Sequence, residues 1–215
     1  MIKAVLFDFD DTLVDTVHSK IPAIIEYCDS VHGVAVTVEE VLSLWGMPFW
    51  ETMKVLSKAD SIQTDRYLAI SEKHPLRPFP ESEEVVRSLH SEVTIGIVTS
   101  LARPVLLHSL NALGWSDIPF SVIVTEGEAP AHKPDPRVFD PALAILSDIQ
   151  PDDITYVGDA LSDAKAATRA GLQFIGIARE AQRQAAFGEA GFRWEASLAE
   201  IARGVGRSRE PAPRM

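Results

Sequence analysis

Four aspartates, one threonine and one lysine are the residues of this chain best suited to chemistry. Asp8 and Asp10 form one close pair, Asp159 and Asp163 a second, and Thr99 and Lys133 fall between them. Asp8 follows the apolar run of residues 2–7, Thr99 ends Gly96-Ile97-Val98, and Asp159 follows Tyr156-Val157-Gly158. Each therefore stands where a buried strand would end, and parallel α/β sheets bind ligands beyond the carboxyl ends of their strands. Alone, each residue is an ordinary loop carboxylate, strand-end hydroxyl or solvated lysine. Brought together, the carboxylates would repel and raise one another's pKa values unless a cation joined them. An all-oxygen donor set with room for water and phosphate suits Mg²⁺. Lys133 and Thr99 would then supply positive charge and a donor to phosphoryl oxygens.

The elements that must position these residues are legible in the hydrophobic pattern. After the first strand, residues 15–74 contain no strand pattern and read as about four short helices. Pro22 should kink the first of them or delay its start. Thr37-Val38-Glu39-Glu40 is a capping box, Gly46 stops that helix, Pro48 opens the next over Phe49–Ser57, and Thr64-Asp65 starts another that Pro75 ends. The proline-rich stretch of residues 75–80 reads as a stiff linker. Beyond it helix and strand patterns alternate: helices near 82–91, 102–113, 136–147 and 161–170, strands near 93–98, 120–124, 154–157 and 173–177. That alternation predicts a parallel sheet with helices on both faces. A short strand near 191–194 and a helix near 197–203 follow, with Pro141 in conflict with its helix. The expected division is a core of residues 1–14 and 80–205, an all-helical insert of 15–79, and a disordered tail of 206–215.

The composition excludes several function classes. The chain has 215 residues, enough for one large domain or a domain with one insertion. With 31 acidic against 20 basic residues, its net charge of −11 opposes binding to nucleic acid or an anionic membrane surface. The single cysteine, Cys28, permits no internal disulfide, and no apolar run approaches a membrane span. A cytoplasmic protein is expected, and monomer and homodimer are equally compatible with the sequence.

Taken in order, Asp8-Phe9-Asp10-Asp11-Thr12, Val98-Thr99-Ser100, Lys133-Pro134 and Gly158-Asp159…Asp163 resemble the four motifs of the haloacid dehalogenase superfamily of phosphohydrolases. The helical insert looks like the cap of the phosphoglycolate-phosphatase-like branch. The resemblance implies a Rossmann-like core with an inserted cap domain, and a Mg²⁺-dependent phosphatase acting on a small phosphorylated metabolite. It implies Asp8 as nucleophile and Asp10 as general acid and base. Asp8, Asp159 and the Asp10 carbonyl would hold the metal, with Asp163 a second partner or ligand. Thr99 and Lys133 would hold the phosphoryl oxygens, and Ser100 would bind phosphate or substrate. Two departures matter. Mutases of this branch often carry Glu where this chain has Gly158, so a sugar-phosphate mutase is the lesser reading. A phospho-accepting regulatory or binding module would need a different motif order and no insert.

Two features of the insert are open at this level. Lys20, Lys54, Lys58 and Lys73 read as solvated helix lysines, although phosphonate-cleaving relatives use a lysine from this region. Trp45, Met47, Phe49, Trp50 and Met53 either pack helix against helix or face the site and read the leaving group. His74, His90, His108 and His132 show no metal-ligand spacing.

Overall fold

In the computed structural model, residues 2–45 and 47–207 are described. Strand β1 (Ala4–Phe7) is buried at every position, and its side chains alternate between two cores. Val5 and Phe7 enter one cluster, Ala4 and Leu6 the other. This is why the run is continuously apolar: both faces of a parallel strand are covered. The two-residue strand β2 (Val14–Asp15) precedes four helices, α1 (Lys20–His32), α2 (Val38–Ser43), α3 (Phe49–Ser57) and α4 (Thr64–Ser71). Strand β3 (Arg77–Pro78) returns the chain, and the rest alternates: α5 (Ser82–His90), β4 (Thr94–Val98), α6 (Arg103–Ala112), β5 (Val122–Val124), α7 (Asp140–Ile145), β6 (Ile154–Gly158), α8 (Leu161–Arg169), β7 (Gln173–Ile177), α9 (Ala181–Glu189), β8 (Trp194–Glu195) and α10 (Leu198–Arg207).

Six strands form one sheet in the order β5-β4-β1-β6-β7-β8, each neighbouring pair parallel. Phe7 lies level with Ile97 of β4 and Val157 of β6. Asp8 therefore leaves β1 beside Val98 and Gly158, with Thr99 and Asp159 one residue further on. The Asp8 N–H continues the ladder by donating to the Val157 carbonyl at 2.8 Å, as the Thr99 N–H does to Val124 at 3.0 Å. Register alone thus delivers three of the chemical residues to one edge.

Several expectations need correction. The start of the first insert helix is delayed to Lys20, one of the two outcomes expected of Pro22, and the proline falls in its first turn, where a missing N–H costs nothing. Pro48 caps α3 from outside instead of opening it. The Thr37–Glu40 capping box is present, with the Glu40 N–H on Thr37 Oγ1 at 3.2 Å and the Thr37 N–H on Glu40 Oε2 at 2.8 Å. Residues 75–80 are more than a linker: β2 and β3 pair antiparallel, Val14 opposite Pro78 and Asp15 opposite Arg77. Pro141 loses its conflict because a 3₁₀ turn (Pro136–Phe139) precedes α7, leaving the proline in that helix's first turn. The terminal strand is Trp194–Glu195, and α9 before it was absent from the sequence reading. Helix α10 includes Gly206 and Arg207, which the sequence assigned to the tail. The helix stop at Gly46 and the tail of residues 208–215 lie outside the described residues. Among the described residues, no helix is long and apolar enough to cross a membrane.

Candidate active site

A tight turn follows β1. The Leu13 and Val14 N–H groups donate to the Phe9 carbonyl at 3.0 and 3.2 Å, and the Asp11 N–H donates to Val14. Asp11 sits at φ +52°, a left-handed conformation that Asp and Gly adopt more readily than most residues. Its Oδ1 accepts the Thr16 hydroxyl at 2.6 Å. The turn aims the Asp8 and Asp10 side chains into one cleft with Thr99, Ser100, Lys133 and Asp163, and Asp159 lines it too.

Lys133 is the hinge of the charge arrangement. Its Nζ lies 3.0 Å from Asp8 Oδ1 and 2.8 Å from Asp163 Oδ1, with only 4% of its side chain exposed. It also stands 5.1 Å above the Tyr156 ring, whose hydroxyl donates to the Val98 carbonyl at 2.7 Å. Burial alone would lower the Lys133 pKa, but Asp163 and Asp8 outweigh it and hold the ammonium well above its usual range. Burial pushes the Asp8 carboxyl up to about 7, against the pull of Lys133 and with help from Asp163 and Asp10. Asp159 is raised well above the usual carboxylate range by burial and Asp163, while Arg183 opposes the shift.

Asp8, Asp159 and Asp163 each offer one carboxylate oxygen, and the three oxygens lie within 4.8 Å of one another. A buried set of three carboxylate oxygens fits a small hard cation. The Asp10 carboxylate is outside this set and pairs with Lys20 of α1. Burial raises the Asp10 carboxyl and Lys20 pulls it back. Lys20 itself is 4% exposed, so the sequence reading of a solvated helix lysine fails for it. Thr99 Oγ1 accepts the Leu101 N–H at 3.3 Å and lies buried at the cleft.

Arginines were missed by the sequence reading. Arg183 of α9 contacts Asp159 Oδ2 directly and approaches Asp11 Oδ2 at 4.0 Å. Arg179 donates to the Asp11 and Thr12 carbonyls at 3.1 and 3.2 Å and stacks 3.3 Å from the Phe79 ring centre. Both stand around α9, the unrecognised helix; two arginines in Arg179-Glu180-Ala181-Gln182-Arg183, just past a strand end, were the available signal.

Gly158 ends β6 for a packing reason. A Cβ there would lie 2.5 Å from Asp163 Oδ2 and 2.7 Å from its Cγ. Gly158→Ala should therefore cost about 1–3 kcal/mol, the usual range for overpacking, and displace Asp163 from Lys133. Urea unfolding checks it, and an unchanged midpoint would count against the tight fit.

A second expectation concerns pH. Without a cation, the raised carboxyls of Asp8, Asp10 and Asp159 hold protons more tightly folded than unfolded. Their stabilisation is full below the ordinary carboxylate range and is lost as pH rises, for Asp8 through about 7. In chelator, Tm should fall between pH 6 and pH 8, and added Mg²⁺ should restore more at pH 8 than at pH 6. A metal effect equal at both pH values would sink this account.

Residues 5–177 match the haloacid dehalogenase-like hydrolase family. The chain belongs to that family. Among similar proteins, the pyrophosphatase PpaX of Oceanobacillus iheyensis is 28% identical, covering 82% of this chain and 84% of its own. The phosphoglycolate phosphatase of Yersinia pestis is also 28% identical, covering 82% and 81%. The crystal structure of a HAD phosphatase from Thermococcus onnurineus superposes with a TM-score of 0.73 at 25% identity, over 95% of this chain and 98% of that one. CbbY from Rhodobacter sphaeroides, solved with phosphate, has the same fold at a TM-score of 0.72 and 23% identity, over 94% and 96%.

The α1–α4 segment meets this family core through its backbone. The Phe49 N–H donates to the Ser100 carbonyl at 3.0 Å, and the Trp50 N–H donates to Glu126 Oε2 at 3.0 Å. Of the aromatic-rich segment, Met53 is fully buried, while Trp45, Met47 and Phe49 line the same cleft as the aspartates.

Proposed function

We propose that this chain is a Mg²⁺-dependent phosphatase that hydrolyses a small phosphomonoester through an aspartyl-phosphate. The carrying observation is Asp8 in the cleft, one oxygen tethered by Lys133 while its carboxylate shares a cluster with Asp159 and Asp163. Asp8, Asp159 and Asp163, with the Asp10 carbonyl, would hold the ion. When bound, the ion neutralises charge on the phosphoryl group and the carboxylates around it.

The chain's own residues account for the rest. The Asp8 oxygen attacks phosphorus, the P–O bond to the alcohol breaks, and Asp10 gives its proton to the departing oxygen. Burial raises the Asp10 carboxyl toward the protonated form that this step requires, against the pull of Lys20. Asp10 then takes a proton from water as that water attacks phosphorus, the Asp8–phosphorus bond breaks, and phosphate leaves. Lys133 and Thr99 hold phosphoryl oxygens throughout, with Ser100 beside them. Positioning and charge neutralisation carry phosphoryl transfer. The α1–α4 insert of residues 15–79 would act as a cap domain over a core of 1–14 and 80–205, closing to exclude water and opening to release product.

The relatives' names support a hydrolase of small phosphates, and the Gly158 packing speaks against a mutase-type Glu at that position. The test is phosphate release from para-nitrophenyl phosphate with Mg²⁺ and with excess chelator. Turnover with the ion and none in chelator is expected; no release under either condition, from folded protein, would overturn the reading.

A further inference from the structure

We infer that the leaving group this site accepts is an uncharged alcohol with an apolar, ring-sized body, and that anionic leaving groups are disfavoured. This rests on the hydrolase reading above and names the half of the substrate that the phosphoryl-binding residues do not touch.

Charge is the first argument. Four aspartates line the cleft against two lysines, Lys20 and Lys133. Neither ammonium is available to a second anion. Lys133 spans Asp8 and Asp163, and Lys20 is held on Asp10. A divalent cation would match the lining carboxylates left over by the two lysines, and the one further cation nearby, Arg183, is itself held on Asp159. Glu126, fixed by the Trp50 N–H, adds a carboxylate beside the docking turn. A carboxylate or second phosphate on the leaving side would shed its water with no unpaired cation to receive it among the described lining residues.

The second argument is the apolar part of the lining. Ile24, Leu44, Trp45, Met47 and Phe49 supply it, with the Thr52 hydroxyl beside them. Helix packing consumes part of this surface, since Ile24 and Phe49 are buried in the core, but Met47 is 41% exposed and Trp45 is half-buried. Phe49 is fixed edge-on to the Trp50 ring, with centroids 4.8 Å apart, and to Tyr67 at 5.1 Å. An aromatic wall held this way gains most from a flat apolar body. Glycolate and inorganic phosphate, the leaving groups implied by the names of the two relatives, are both small anions, so this chain parts from them on the leaving side.

The experiment uses the full chain with Mg²⁺ and compares kcat/KM for benzyl phosphate, phosphoglycolate and inorganic pyrophosphate. Benzyl phosphate should lead both by at least about tenfold. Equal or reversed efficiencies would overturn the inference while leaving the hydrolase reading intact. Binding of two inert analogues, 2-phenylethylphosphonate and 3-phosphonopropionate, is followed by tryptophan fluorescence. The phenyl compound should bind at least about tenfold more tightly. If no ester is hydrolysed but the phenyl analogue still binds better, the hydrolase reading falls, the leaving-group assignment falls with it, and only a preference for apolar bodies in the cleft remains. If the carboxylate analogue binds better, the assignment falls. Met47→Lys supplies the missing cation and should raise the ratio of phosphoglycolate to benzyl phosphate efficiency by at least about tenfold. An unchanged ratio in folded variant counts against the wall's role.

Discussion

Asp8→Asn should lose turnover by at least about 10⁴-fold, as removal of a nucleophile does in other enzymes that form covalent intermediates. The amide keeps the carboxylate's shape but forms no acyl phosphate. The same substitution should raise Tm in chelator at pH 8, because it removes a buried negative charge from the set with Asp159 and Asp163. Opposite signs for activity and stability are what separate a chemical role from a structural one. Phosphate release within tenfold of the parent would sink the nucleophile assignment, and a drop in Tm would show that the Lys133 contact outweighs the repulsion.

Lys133→Met should damage both properties. Methionine keeps much of the stem's volume but leaves Asp8 and Asp163 without the ammonium that sits 3.0 and 2.8 Å away. Removing one partner of a buried ion pair typically costs about 3–5 kcal/mol. Part of that loss should return as pH falls, when the stranded carboxyls take up protons and the charge disappears. Turnover should not return, since low pH restores no cation for the phosphoryl oxygens. Urea midpoints at pH 5 and pH 8, with phosphate release at both, check this. A stability loss that is independent of pH would mean that Lys133 acts through packing against Tyr156 and not through charge.

The central strands of the sheet were readable because they are covered on both faces and therefore carry nearly continuous apolar runs. Strand β7 falls at the residues its pattern marks, 173–177. Convergence of Asp8, Thr99 and Asp159 followed from strand-end position, which register turns into proximity. The less legible features all depend on tertiary partners. Helix α9 buries little beyond Phe187, so Ala181–Glu189 carries no strong apolar stripe. The β2–β3 ribbon has two residues in each strand, too few for alternation to register. Lys20 looks like any helix lysine until α1 is laid against the Asp8–Asp10 turn, where Asp10 takes its ammonium and the Phe9 ring lies 4.9 Å away. The aromatic segment was ambiguous for the same reason, because amphipathic spacing is shared by a packed face and a cleft wall.

The contact between insert and core at residues 49 and 50 is made by main-chain N–H groups, one to a carbonyl and one to Glu126. Main-chain donors are common to every residue except proline. Side chains at Trp45, Met47 and Trp50 can therefore be exchanged without forfeiting those two bonds. On the proposed reading, selection for a new substrate meets least resistance at Met47, which is 41% exposed, whereas Asp8, Lys133 and Asp163 are bound to one another and can change only in concert. A fixed reaction and a freely drifting diet are thus written into the same cleft.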